Sequence, residues 1–327
     1  MIKKGVAFII MVLMSSIFLP QFALAKESHT FEVAIASQLS HNNKIKSYYD
    51  ITVKPGEKLK LPFQIKNTGS EASTFELSFN SALTGSTGSI SYAGKEQSKL
   101  IAGALDITQY ARLSASKITV DPGESKEVNL QVEMPEKTFK GKIAGGLRVA
   151  QLPNDDVKGS VQHTFAREIA VVLQNEVKEI VPEIEFYKAS VARNTRRKYL
   201  IVEMANVAPA YLSRGQIEYE VKKGNDSILT GEKLLRISPS TAFSYHIPLT
   251  DTKFDTGDYT IDLTVKAGED TWQDTLSFTI NPADSKIINE TNDVEKSFPI
   301  VTVLLAGVIA ILTLIILVLI LKRKKEK

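Results

Sequence analysis

The clearest strand signal in the chain is KLPFQIK at residues 60–66, where apolar and polar side chains alternate. Leu61, Phe63 and Ile65 fall on one face, because successive side chains of a β-strand point to opposite sides. The turn signal NTGS follows at residues 67–70, and the alternation resumes in TFELSF at residues 74–79. Two half-buried strands joined by a short polar turn predict an antiparallel sheet with one face on a core.

The same pattern extends through most of the chain. EVNLQVEM at residues 127–134 and QIEYEV at residues 216–221 also alternate, and we find no convincing helical period between residues 30 and 280. The sequence therefore predicts an all-β protein with two immunoglobulin-like antiparallel β-sandwich domains in tandem. We place the first at residues 26–177 and the second at 178–281. IAVVL at residues 169–173 is predicted to fold back on residues 144–149 as the last strand of the first domain.

One short segment of the sequence occurs twice inside the first domain. ITVKPGE at residues 51–57 recurs as ITVDPGE at residues 118–124. Pro55-Gly56 and Pro122-Gly123 suit the two central positions of a type II turn, where proline presets φ and glycine accepts a positive φ. We interpret this repeat as two ordinary β-turns rather than as a duplicated functional motif.

Two further motifs have structural interpretations. Gly145-Gly146 lies inside a strand signal, which indicates a β-bulge or a close approach of neighbouring strands. Gly257 and Tyr259 open a late strand that has the pattern of a tyrosine corner. In that motif a tyrosine near the start of a strand donates its hydroxyl to the preceding loop.

The N-terminus has the layout of a secretory signal peptide at residues 1–25. Lys3 and Lys4 precede an apolar run of roughly 15 residues, which is short for a bilayer span. A small-x-small cleavage site ends at Ala25, so we expect the mature chain to begin at Lys26.

The C-terminus has the layout of a membrane anchor. Residues 298–321 carry no charge and are long enough to cross a bilayer as a helix, and a basic tail follows at residues 322–327. Basic residues next to a span favour the cytoplasmic side. We therefore expect a single-pass membrane protein with its N-terminal ectodomain outside, exposed in the cell wall, and a polar stalk at residues 282–297.

Charge and cysteine content narrow the class of protein. The chain has a net charge of +3, and removing the +2 of the signal and the +4 of the tail leaves −3, so nothing in the ectodomain favours nucleic acid. There are no cysteines, which fits a Gram-positive cell envelope better than a secreted eukaryotic ectodomain.

No catalytic, cofactor or metal motif emerges from the sequence. The four histidines do not pair at ligand spacing, and no nucleophile elbow or phosphate-binding glycine loop is present. Asp50, Asp106 and Glu124 are carboxylates that could serve glycosidic chemistry, but scattered surface carboxylates are the default interpretation. We therefore predict no enzyme, no cofactor and no metal.

Four segments together resemble the WxL-interacting protein family of Gram-positive surface proteins. They are YYDITVKPG at residues 48–56, Asn67-Thr68, VDPGES at residues 120–125 and FKGKIAGGLRV at residues 139–149. They look like the family's peptidoglycan-binding-type domain over about residues 30–152. The later part of the ectodomain, from about residue 163, resembles its host-binding-type domain by position and pattern.

The resemblance implies a non-enzymatic scaffold for adhesion that binds WxL-domain surface proteins and peptidoglycan and reaches host extracellular-matrix proteins. Tyr48, Tyr49 and Arg148 are candidates for exposed partner contacts, with packing in the core or at a sheet edge as the alternative. A cell-wall-modifying enzyme and a passive surface stalk remain the alternative functions.

Overall fold

The computed structural model describes residues 30–40, 44, 47–153, 165–193, 197–249 and 253–289, together with 307, 309 and 313. Its contacts divide the chain into two compact units. The first contains residues 1–185, 205–215 and 235–243, and the second contains residues 186–204, 216–234 and 244–327. The predicted signal, with its cleavage site at Ala25 and Lys26, lies outside the described residues.

Among the residues that the structure describes, twelve strands precede residue 180. They are β1 (Phe31–Ile35), β2 (Tyr49–Thr52), β3 (Lys58–Asn67), β4 (Ser73–Ser81), β5 (Leu83–Thr84), β6 (Ile90–Ser91), β7 (Lys99–Leu100), β8 (Ala111–Leu113), β9 (Lys117–Val120), β10 (Ser125–Glu133), β11 (Lys142–Gln151) and β12 (Ala166–Gln174). One sheet has the order β1-β3-β10-β8 and another the order β2-β12-β11-β4-β9, while β5 and β6 form a hairpin.

The two larger sheets enclose one apolar core. Leu61, Phe63 and Ile65 of β3 are each no more than 1% exposed, and they share this core with residues of the other sheet such as Phe75 and Leu147. The alternation quoted above is therefore the inward face of β3. Two sheets packed on a shared core make this part of the first unit a β-sandwich.

The pairing of the last strand of this sandwich confirms one prediction and corrects another. β11 pairs antiparallel with β12, with Ala144 opposite Val172, as the sequence predicted. However, β2 runs parallel to β12, with Tyr49 opposite Val171, so the sandwich is not purely antiparallel. The physical reason is that the chain changes sheets after β1, which pairs with β3, and β2 then joins the edge of the other sheet.

In the described part of the chain after residue 180 there are seven strands. They are β13 (Ile184–Arg193), β14 (Lys198–Asn206), β15 (Leu212–Lys223), β16 (Asp226–Ile237), β17 (Thr241–Pro248), β18 (Gly257–Ala267) and β19 (Asp270–Ile280). β15 and β18 pair antiparallel at the centre of a sheet with the order β16-β15-β18-β19. A second sheet has the order β13-β14-β17-β7. Burial alternates along β17 and β18, which indicates one buried face for each sheet.

Two buried asparagines, each at the end of a strand, share three hydrogen bonds of the same kind. Asn67, at the end of β3, donates from Nδ2 to the Glu71 and Val120 carbonyls at 2.7 and 2.9 Å and accepts from the Gly69 N–H at 2.9 Å. Asn206, at the end of β14, donates to the Ala210 and Ser238 carbonyls at 2.6 and 3.1 Å, and its Oδ1 accepts from the N–H two residues later. Both asparagines are 0% exposed. The chain therefore uses one polar lock twice, each time to hold a strand end to the backbone of another segment.

The predicted stalk needs a correction at its start. Residues Pro282–Asn289 form the helix α1 rather than an extended linker. The helix is fixed in the second unit, because Asn289 Nδ2 donates to the Phe254 carbonyl at 2.6 Å and Ile288 is 1% exposed. The physical reason is an N-cap, since Asn281 Oδ1 accepts from the Asp284 N–H at 2.9 Å and proline occupies the first helical position.

Among the described residues, no helix has the length and apolar character needed to cross a bilayer. The predicted span at residues 298–321 lies outside the described residues except for Gly307, Ile309 and Thr313. The basic tail at residues 322–327 also lies outside them.

Candidate binding site

A large open groove lies on the first unit, against β3, β10 and β8. Its volume is about 820 Å³, near the upper end of the range for ligand sites. Most of the polar side chains that line it come from the faces of these strands that point away from the core. They are Lys58, Lys60, Arg112, Gln131 and Glu133, with Tyr110 from the segment before β8.

The strand register arranges these side chains in rows. Gln131 of β10 lies opposite Lys60 of β3 on one side and Arg112 of β8 on the other. Directly opposed residues of antiparallel strands have Cβ atoms about 5 Å apart, so two cations flank one amide across the sheet. In a neighbouring row Lys58 and Glu133 form an ion pair at 2.7 Å.

The cations of the groove differ in how they are neutralised. The Glu133 carboxylate raises the pKa of Lys58 and compensates its charge. Lys60 makes no ion pair with any residue that the structure describes. The Arg112 side chain is held by the backbone of the preceding residues, since Nη1 donates to the Thr108 and Ala111 carbonyls at 2.9 and 2.8 Å. The groove therefore offers two cations without an ion pair among the described residues, an amide between them and a half-buried phenol, with Glu136 as a second carboxylate in its lining. The three cations outnumber the two carboxylates, which suits an extended ligand with anionic and amide groups.

No local pattern in the sequence predicts this groove. Lys60 lies in the segment that identified the fold, but its alternation showed only that the side chain faces solvent. The groove depends on which residues of β10 and β8 lie opposite Lys60, and the register of a sheet is fixed by pairings between distant segments.

Tyr49 is not an exposed contact, so that part of the prediction is wrong. It is 0% exposed, and its ring packs edge-on against Phe63 with centroids 5.4 Å apart. Its hydroxyl donates to the Pro62 carbonyl at 2.5 Å and accepts from the Ala36 N–H at 3.0 Å. The physical reason is the alternation of side chains along β2, because Tyr49 is the first of the residues that point into the core.

Tyr48 and Arg148 are half-buried and stay predictions as contact residues. Arg148 lies on β11 opposite Glu168 of β12. Burial, and then the charge of Asp50, raise the pKa of the Tyr48 phenol. Tyr48 also influences the pKa of two phenols that the sequence analysis did not select, Tyr92 and Tyr211, and burial is the main cause that raises both values.

Gly145 and Gly146 mark a close approach of neighbouring segments rather than a bulge. β11 keeps a regular register with β12 and β4 through both positions. A Cβ at Gly145 would lie 2.8 Å from the Asn80 carbonyl oxygen and 2.7 Å from Ile107, and one at Gly146 would lie 2.6 Å from the Tyr92 ring. These glycines therefore serve packing.

The predicted turns have the expected backbone. Gly56 and Gly123 have φ values of +70° and +76°. In each turn the N–H of the following glutamate donates three residues back, to the carbonyl of Lys54 at 3.2 Å or of Asp121 at 3.1 Å. Pro55 and Pro122 thus occupy ordinary β-turns, as we interpreted them.

The strand that begins at Gly257 has the predicted tyrosine corner. The Tyr259 hydroxyl donates to the Asp255 carbonyl at 2.9 Å, and its ring stacks on Phe278 with centroids 5.6 Å apart. The contact fastens the start of β18 to its preceding loop.

Two of the three candidate catalytic carboxylates, Asp106 and Asp50, take part in structural contacts, whereas Glu124 is exposed. Burial alone would raise the pKa of Asp106, but hydrogen bonds from Ser81 and Thr108 lower it below its usual value, and Asp106 caps the short 3-10 turn at Ile107–Gln109. Asp50 is 9% exposed and accepts from Gln174 Nε2 at 3.2 Å. Within the described parts of the chain, no three carboxylates or histidines are grouped so as to hold a metal ion.

Comparison with solved structures gives distant likenesses to fimbrial chaperones and related domains. The class 5 fimbriae chaperone CfaA is 13% identical with a TM-score of 0.31, over 75% of this chain and 99% of that one. The E. coli chaperone DraB is 11% identical with a TM-score of 0.31, over 76% and 98%. PapD-like domain 7 of human CEP192 is 16% identical with a TM-score of 0.27, over 46% and 87%. At such TM-scores we draw no conclusion from these likenesses.

Comparison with protein families is informative. No curated protein matches the chain significantly. Residues 31–151 match the peptidoglycan binding domain of the WxL Interacting Protein, and residues 156–290 match its host binding domain. The second match ends one residue after α1, so the helix belongs to the matched region. Because the two matches together cover well over half of the sequence in the family's order, this chain belongs to the WxL-interacting protein family.

Proposed function

We propose that this protein is a non-enzymatic scaffold of the Gram-positive cell surface that binds peptidoglycan in the groove between β3, β10 and β8. The observation that carries the proposal is the position of the groove, whose lining lies wholly within the residues that match the peptidoglycan binding domain. The scaffold would also bind WxL-domain proteins, after which the family is named, and reach host matrix proteins through the region that matches the host binding domain.

The chemistry of the groove suits the wall polymer. Peptidoglycan offers N-acetyl amides on its sugars and carboxylates on its stem peptides. Lys60 and Arg112 suit carboxylates, Gln131 suits amides, and the Tyr110 ring offers an apolar surface to a sugar face. A groove of about 820 Å³ has room for several groups of one strand.

We further propose that the scaffold is anchored in the cell membrane, with its domains outside. The signal pattern at residues 1–25 and the apolar run at residues 298–321 before the basic tail support this topology. The polar linker to the membrane would then follow α1 rather than begin at residue 282.

The finer description of the fold is also a proposal. Two immunoglobulin-like domains, at residues 26–177 and 178–281, are supported by the tyrosine corner at Tyr259 and by the sheets that the strands after residue 180 form among themselves, such as β16-β15-β18-β19. The two compact units do not coincide fully with these two domains, since residues 205–215 and 235–243 belong to the first compact unit.

Charge reversal in the groove tests the peptidoglycan site. The double variant Lys60→Glu, Arg112→Glu is expected to bind insoluble peptidoglycan at least about tenfold more weakly, because two glutamates would replace the two cations and repel the carboxylates of the ligand. The matched control is Lys66→Glu, Lys126→Glu, which also reverses two charges but at exposed positions of β3 and β10 outside the groove. Binding would be measured by co-sedimentation over a range of protein concentrations, and equal loss in the control and the groove variant would contradict the assignment.

A further inference from the structure

A second, smaller cavity lies in the first unit, away from the groove. Its volume is about 310 Å³, at the lower end of the range for ligand sites. Its walls are formed by the end of β7 and the segment after it (residues 100–105), by residues 139–140 and 142–144, and by Val207, Pro209, Pro239 and Ser240. Most of these groups are apolar, and Lys140 and Lys142 contribute the only charged side chains among the lining residues that the structure describes.

The walls of this cavity are tied to one another by backbone hydrogen bonds. The Ile101 N–H donates to the Ser240 carbonyl at 2.9 Å, and the Lys142 N–H donates to the Pro209 carbonyl at 2.8 Å. β7 pairs with the start of β17, with Leu100 opposite Thr241. The cavity is therefore preformed, so that a ligand would spend little binding free energy on ordering it.

One lining residue holds an unusual backbone conformation. Ser240 has a φ of +50° and is the only residue other than glycine with a positive φ among the described residues. Its N–H donates to the Ala208 carbonyl at 3.0 Å, and its carbonyl accepts from Ile101. Such strain persists only where the surroundings impose it, and it occurs preferentially at functional sites.

The size and lining of the cavity define what it could hold. It is too small for a glycan strand but suits one large side chain of a partner, and buried aromatic side chains in pockets dominate the energetics of protein interfaces. Lys140 and Lys142 make no ion pair with described residues, so the rim favours an acidic segment beside that side chain.

We propose that this cavity receives the tryptophan of the Trp-x-Leu motif of a WxL-domain partner, with carboxylates of the partner near Lys140 and Lys142. The inference rests on the proposed function, in which WxL-domain proteins are partners, and adds the place and the side chain through which they bind. It is independent of the groove, because the cavity and the groove share no lining residue.

Filling the cavity tests the proposal. In the full chain, Ala104→Trp places an indole in the cavity from a half-buried loop position, and we expect affinity for a purified WxL-domain protein to fall at least about 30-fold, the effect of losing a hot-spot side chain. The control Ala72→Trp makes the same change at an exposed loop position outside the cavity and should leave the affinity unchanged.

Fluorescence gives a second readout that does not depend on Ala104. Trp272 is the only tryptophan of the chain, so Trp272→Phe makes the chain transparent at tryptophan wavelengths. Partner emission should then shift to the blue on binding, and a partner with its motif Trp→Ala should bind at least about 30-fold more weakly. Tight binding to Ala104→Trp, or undiminished binding of the partner variant, would overturn the proposal, whereas failure of the wild-type chain to bind any WxL-domain protein would refute that partnership itself.

Discussion

Replacing Asn67 with aspartate is expected to destabilise the first unit by about 3 to 5 kcal/mol, the largest effect of any single isosteric change that we foresee. The carboxylate keeps the shape of the amide but loses both donors, so the Glu71 and Val120 carbonyls would face it without a hydrogen bond. The site is 0% exposed, and a buried charge without a compensating partner adds a desolvation cost. Urea denaturation of residues 26–297, followed by circular dichroism, would measure the loss.

The control for Asn67 is Asn225→Asp, which makes the same chemical change in the exposed hairpin turn between β15 and β16. Its unfolding free energy should change by less than about 0.5 kcal/mol, as for ordinary surface substitutions. If the two variants unfolded at the same urea concentration, the asparagine lock would have no role in stability.

Replacing Gly145 with valine is expected to destabilise the same unit by about 3 kcal/mol or more, the range of severe overpacking. Its Cβ would lie 2.8 Å from a backbone oxygen of β4, and a backbone atom cannot move aside as a side chain can. Valine would otherwise suit a strand, so a loss of stability would report the close approach and not the β-propensity. Thermal unfolding of the variant should show a transition well below that of the wild type.

The matched control for Gly145 is Ala166→Val at the start of β12, the strand that pairs with β11. Ala166 is exposed, so valine there should be neutral or slightly stabilising. A Gly145→Val variant as stable as this control would contradict the close packing of Gly145 against Asn80 and Ile107.

The inward faces of the strands could be predicted from the sequence, because they depend on the local alternation of apolar and polar residues. Leu61, Phe63 and Ile65 have the burial that the pattern of two predicts. The pairing of β11 with β12 and the hydrogen bond of Tyr259 could also be predicted, since short segments of sequence indicate each of them. The inward position of Tyr49 was also predictable from local sequence. If side chains alternate from Tyr49 onward, then Tyr49, Ile51 and Val53 share the face that points into the core.

Other features depend on which distant segments meet. The row of Lys60, Gln131 and Arg112 requires the register of three strands separated by up to 71 positions in the chain, and no local pattern encodes it. The repeated Pro-Gly turns are visible in the sequence but form ordinary turns. The repeat that matters for the fold is the asparagine at the ends of β3 and β14. That repeat has a weak sequence signature, since the residues after Asn67 and Asn206 differ.

α1 was missed although its signal is local. Asn281 followed by Pro282 is an N-cap followed by proline at the first helical position, and an acidic residue occupies the first turn. The polar composition of residues 282–297 obscured it, because a short helix followed by a polar segment resembles a linker in composition.

Co-sedimentation of the full chain with purified insoluble peptidoglycan tests the central claim most directly, provided that the supernatant is also assayed for released muropeptides. A non-enzymatic scaffold should bind the polymer saturably and release no fragments, and charge reversal of Lys60 and Arg112 should abolish most of the binding. Protein that stays in the supernatant at every concentration, or muropeptides that accumulate with time, would contradict this account.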